Sequence, residues 1–85
     1  MTGVTVRKGG RVWWQLGIAE ITAPSAEIRL GEACRALDRY FEREAVTAKV
    51  TPAAVSRFLR QAGFEKVGMT GSGYDREPLY RRRAA

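Results

Sequence analysis

The chain has 85 residues, and because a domain usually needs on the order of 100, the count allows one domain over 1–85 with a modest core and no second one. A hydrophobic content of 45% and a charged content of 28% exclude a disordered polymer. No apolar run nears the roughly 20 residues of a bilayer span, and polar and basic residues stand where a signal peptide is apolar, so a soluble cytoplasmic protein without membrane association is expected.

Residues 4–6 and 12–18 tend to alternate apolar with polar side chains around Lys8-Gly9-Gly10, which predicts an N-terminal β-hairpin over 1–22. Successive side chains of a strand face opposite ways, so only one of Trp13 and Trp14 enters the core unless the strand bulges. The other is covered by the long helix or a neighbouring chain, the commoner outcome for so large a ring, or it forms a protein interface. Thr22-Ala23-Pro24-Ser25 turns the chain and offers a cap. Leu30, Cys34, Leu37 and Phe41 then recur at helical spacing, widened by Ala33 and Tyr40, and predict a helix over 25–43. Its start stays open, because Ile28 lies off the stripe and Gly31 weakens a helix interior by about 1 kcal/mol, so 26–30 is alternatively a strand. The opposite face, Glu32, Arg35, Asp38, Arg39, Glu42 and Arg43, mixes both signs and reads as solvated helix surface.

Thr51-Pro52 opens a second, short helix over 51–62, with Thr51 as N-cap and Pro52 in the first turn, where its missing N–H costs nothing. Val55, Phe58, Leu59 and Ala62 define its buried stripe, and Gly63 is its left-handed C-cap. The other face shows Ala53, Ala54, Ser56, Arg57, Arg60 and Gln61, with no acid among them. Residues 64–70 and 74–82 read as the strands of a hairpin over 64–82 around Gly71-Ser72-Gly73. Pro78 cannot donate to a ladder, which suggests an edge position or a bulge, and Phe64, Val67, Met69, Leu79 and Tyr80 are the expected inner contacts.

Fifteen Lys and Arg against nine Asp and Glu give a formal charge of +6 and a pI near 10.3, a long-range attraction for polyanions. The excess is uneven: residues 49–85 carry Lys49, Arg57, Arg60, Lys66, Arg76, Arg81, Arg82 and Arg83 against only Glu65, Asp75 and Glu77. The middle of the chain is nearly balanced, so one face suits a polyanion and another suits packing.

A short helix with an acid-free basic face, a glycine-tipped hairpin and an arginine cluster, in this order, resemble the recognition helix and wing of winged helix-turn-helix proteins. The stretch Val50-Thr51-Pro52-Ala53-Ala54-Val55-Ser56-Arg57-Phe58-Leu59-Arg60 looks like bacterial recognition helices, and Gln61-Ala62-Gly63-Phe64 is similar to the helix-to-wing passage of small bacteriophage and actinobacterial-type regulators and excisionases. The resemblance covers residues 45–83 and implies an α+β, winged-helix-like fold and binding of double-stranded DNA, by a phage-type transcriptional regulator or an excisionase-like factor. Arg57 is then the base reader, since Arg grips guanine O6 and N7, and the Ala53 and Ala54 methyls suit thymine. Ser56, Arg60 and Gln61 meet bases or phosphates, and Thr51 with the helix N-terminus holds a phosphate. Ser72, Tyr74 and Arg76 lie along the backbone or minor groove as the wing, while Arg81, Arg82 and Arg83 add sequence-independent attraction. One feature departs from the pattern: winged helices pack three helices, and residues 44–50 leave little room for the one before the recognition helix.

Cys34 is the only cysteine and histidine is absent, so neither an internal disulfide nor a soft metal site is expected, and the commonest general base is missing. No cofactor and no enzymatic activity are expected. The Trp pair and the unassigned N-terminal segment leave a homodimer contact, or a protein-interaction module such as a phage-encoded inhibitor of a host protein, as the competing expectation.

Overall fold

The computed structural model describes residues 7–23, 26–71 and 73–83. In chain order it holds β1 (Arg7–Lys8), α1 (Arg11–Thr22), β2 (Glu27–Arg29), α2 (Leu30–Arg43), β3 (Val46–Thr47), α3 (Pro52–Gln61), β4 (Phe64–Thr70) and β5 (Glu77–Arg82). β2, β5 and β4 form an antiparallel sheet in that spatial order, and β1 pairs with β3 in a short parallel ladder. The fold is α+β, with α2 and α3 packed against a three-stranded sheet and α1 packed on α2 and α3.

The expected N-terminal hairpin is corrected: residues 11–22 are helical, and residues 4–6, its other arm, lie outside the described residues. The apolar pattern here satisfies two periods at once. A strand would place Val12, Trp14, Leu16 and Ile18 on one face, whereas a helix of 3.6 residues per turn puts Trp14 and Ile18 on one face and Val12 and Leu16 on another. Packing decides for the helix: Trp14 is buried at 7% exposure and Ile18 at 1%, while Val12 and Leu16 emerge at 64% and 51%. The Trp14 ring stacks on Phe58 of α3 at 5.0 Å between centroids and meets Phe41 of α2 edge-on at 5.3 Å, so one indole ties the three helices together. It is therefore a core residue, and Trp13, half-buried, also packs against the core. Gly17 makes the α1–α2 crossing possible, because a Cβ there would stand 2.6 Å from Leu37 Cδ1 and 3.0 Å from Tyr40 Cδ2. At the rim of this crossing the Arg43 guanidinium donates to Glu20 at 2.7 Å and to Glu44 at 3.0 Å, contacts that hold its pKa above its ordinary value.

The helix expected over 25–43 begins at Leu30; residues 27–29 form β2, the alternative that Ile28 and Gly31 left open, and Ser25 is outside the described residues. Ile28 is buried opposite Tyr80 of β5, and this long-range pairing outweighs the local helix pattern. α3 forms as its sequence dictates, with Thr51 Oγ1 accepting from the Ala54 amide at 3.2 Å and Gly63 just past its end at φ 95°. Its buried stripe is Val55, Phe58 and Leu59, but Ala62 is exposed, because the chain leaves the helix there. In the hairpin that follows, Phe64 and Tyr80 are buried, whereas Val67, at the register shift between Lys66 and Gly68, and Met69 are exposed at 40% and 46%. Pro78 is not on an edge strand. β5 lies in the middle of the sheet, and Pro78 is tolerated because β2 pairs only with residues 79–81.

Candidate nucleic-acid interface

The outward stripe of α3 is Ala53, Arg57 and Arg60, at i, i+4 and i+7, all exposed. Among the described residues neither arginine is in an ion pair, and the Arg57 guanidinium lies 5.5 Å over the Phe58 ring. This is the arrangement an incoming polyanion needs, since no carboxylate must first be displaced. Gln61 is also exposed, at the edge of the stripe.

Two other residues expected on this face, Ser56 and Ala54, are turned into the fold, and Thr51 caps the helix. Ser56 Oγ is hydrogen-bonded to the Tyr80 hydroxyl, so it points to the sheet and not to solvent. Ala54 is half-buried against the core. Thr51 Oγ1 accepts from the Ala54 amide in the cap, which leaves its O–H to donate outward; its carbonyl is taken by the Val55 amide at 3.0 Å, and Pro52 has no N–H. Of the first-turn amides that leaves Ala53 to meet a phosphate.

In the hairpin, Tyr74 is fully exposed within a 3₁₀ turn over Gly73–Asp75 and Arg76 is exposed beside it; Ser72 lies outside the described residues. Glu77, the next acid along, is turned back to the body, where its Oε1 accepts from the Gly31 amide at 2.7 Å at the start of α2.

Arg81, Arg82 and Arg83 are all exposed, and each also has a partner within the fold. Residues paired across strands share a face, so Glu27, Arg81 and Glu65 line the outer side of the sheet, away from the helices. Arg81 donates to Glu27 at 2.6 Å, and Arg83 lies 3.8 Å from Glu65. Arg82, on the opposite face, stands 4.7 Å over the Phe64 ring and donates to the Thr22 carbonyl at the end of α1, 3.2 Å away. Strand alternation thus splits three consecutive arginines between the two faces of the sheet. Two exposed cations lie outside the expected set: Lys49, just before the α3 cap, and Lys66, on the same face as Tyr80 and hence on the α3 side of the sheet. The signal for Lys66 was available in the strand period; for Lys49 only its nearness to the cap pointed there.

Elsewhere the surface offers little chemistry. A cleft of about 170 Å³ between α1 and α3, lined by Gln15, Ile18, Phe58, Gln61 and Ala62, is smaller than the roughly 300 Å³ at which small-molecule sites begin. Among the described residues no group of three or more metal-ligating side chains occurs, and no helix is long and apolar enough to cross a membrane. Burial pushes up the thiol of half-buried Cys34, which makes it a poor nucleophile at neutral pH. The chain matches no family model, no curated protein and no solved structure.

Proposed function

We propose that the chain binds double-stranded DNA as a winged-helix-like protein, with α3 as the helix that enters the major groove and the β4–β5 hairpin as its wing. The observation that carries the reading is the exposed stripe of Ala53, Arg57 and Arg60, without an ion pair among the described residues and without an acid on its helix face. The sequence resemblance lacked a third helix, and α1 supports the reading by supplying one where a hairpin was expected. Arg57 serves as base reader, Arg60, Lys49 and Lys66 as phosphate contacts, and Arg76 as the wing cation. A regulator of transcription or of recombination, of phage type, is the corresponding role.

The test is fluorescence anisotropy of a labelled 30-base-pair duplex with the full chain. Binding is expected at low salt, is abolished or sharply weakened in Arg57→Ala/Arg60→Ala, and survives Arg81→Ala within a few-fold. A wild-type chain that leaves the duplex unbound at low salt refutes the proposal.

One observation favours a second reading, a module that docks on another protein. Val12 and Leu16, with Ala19, form an exposed apolar stripe on the outer side of α1. This stripe takes the place of the Trp pair in that reading, and a stoichiometric, nuclease-insensitive partner that is lost in Leu16→Glu would support it over DNA.

A further inference from the structure

Tyr74 is the most exposed large hydrophobic side chain among the described residues, at 109% exposure, while Tyr40 and Tyr80 are buried at 8% and 2%. Its position follows from the register. The Ser56–Tyr80 contact fixes where α3 crosses the hairpin, and Lys66 lies opposite Tyr80, so β4 returns beneath α3 from its C-terminal end toward its N-terminal end. From Lys66 the ladder runs on to Thr70 past a bulge at Val67, an advance of three partner residues from Tyr80 to Glu77, about 10 Å at about 3.3 Å per residue. From Ser56 the helix extends back four residues to Pro52, only about 6 Å at about 1.5 Å per residue. The hairpin therefore outruns the start of α3 by about 4 Å before its turn begins, and Tyr74 stands beyond that on the turn.

The surroundings suit a nucleobase. Both faces of the ring are open, Arg76 beside it is exposed, and the Glu77 carboxylate is held back by the Gly31 amide. An aromatic ring stacks on any base, whereas a hydroxyl contact to the backbone would not require the ring to stand clear of the body.

We infer that Tyr74 is a wedge: the hairpin inserts its ring at a base step of the duplex that α3 holds, unstacking the step and bending the DNA. The inference rests on the duplex-binding reading and adds to it a deformation that α3 contacts alone do not produce. Wedges of this kind bend duplexes by roughly 20–90°.

The experiment uses the full chain and a 30-base-pair duplex carrying a donor and an acceptor at its ends, with 2-aminopurine placed in turn at successive positions. Wild type is expected to raise energy transfer between the ends and to brighten 2-aminopurine at one step. Tyr74→Ala is expected to bind about tenfold more weakly, the low end of the effect of losing one stacked base, with neither optical change. Tyr74→Phe is expected to keep both, because the ring and not the hydroxyl does the stacking. A wild-type complex with straight DNA and quenched 2-aminopurine overturns the inference, as does a Tyr74→Ala complex bent like wild type or a Tyr74→Phe complex that behaves like Tyr74→Ala. Those three results leave duplex binding intact; a wild-type chain that binds no duplex removes the underlying reading as well.

Discussion

The sharpest prediction concerns salt. Eight basic residues lie in 49–85, but Arg81 and Arg83 are paired with carboxylates and Arg82 is held by Phe64 and the end of α1. Lys49, Arg57, Arg60, Lys66 and Arg76 remain exposed, with no ion pair among the described residues. If each neutralises one phosphate, log K against log[salt] has a slope of about −4.5, at about −0.9 per contact, and a fourfold rise in salt weakens binding about 500-fold. Removing Arg57 and Arg60 together brings the slope to about −2.7, so that the same rise weakens binding only about 40-fold. Arg81→Ala/Arg83→Ala leaves the slope near the wild-type value. Anisotropy titrations between about 50 and 200 mM salt cover the range in which the difference is readable. Equal loss of slope in the two double variants would refute the distinction drawn here between free and committed arginines, although the four residues carry the same formal charge.

Three further predictions address the framework. Gly17→Ala forces a methyl to 2.6 Å from Leu37 Cδ1, on a side chain with no exposure. Overpacking of about 1–3 kcal/mol exceeds the gain of about 1 kcal/mol from helix propensity, so urea denaturation should show a net loss, and a stabilised variant would contradict the α1–α2 crossing. Ala45 sits just past α2 at φ 55°, so Ala45→Gly should raise stability by up to about 1 kcal/mol in the same assay, since an L-residue is strained there by about 1–2 kcal/mol and glycine is not; a loss would rule out that strain. Burial, followed by the charges of Asp38 and Glu77 and opposed by Arg35, raises the Cys34 thiol above its ordinary 9.0, and burial likewise raises the Tyr40 phenol above 10.0. Both groups hold their protons more tightly in the folded chain, so the stability they contribute is full below the unfolded values and is lost as pH rises through the folded ones. Urea midpoints should be unaffected by these two groups at neutral pH and fall at alkaline pH, with a smaller fall in Cys34→Ser; a fall independent of Cys34 would leave Tyr40 as its source.

The parts of the fold that could be read along the chain are those whose signals are local. Thr51, Pro52 and Gly63 bracket α3 through backbone chemistry that operates within a few residues, and Leu37, Tyr40 and Phe41 mark the inner side of α2 by spacing alone. The acid-free side of α3 was likewise legible, because it depends only on which residue types share a helix face. Residues 12–18 were not, since their apolar pattern fits a period of 2 as well as one of 3.6. Only the docking of Trp14 between Phe41 and Phe58, and the close approach at Gly17, select the helix.

The sequence by itself determined the charge of the C-terminal half, the bounds of α3 and the glycine-rich turn that follows β4. Tertiary structure decided which of those charges are free. Whether an arginine faces solvent or a carboxylate depends on strand register, and register joins Glu27 to Arg81 across 54 positions of chain, a distance over which local periodicity carries no information.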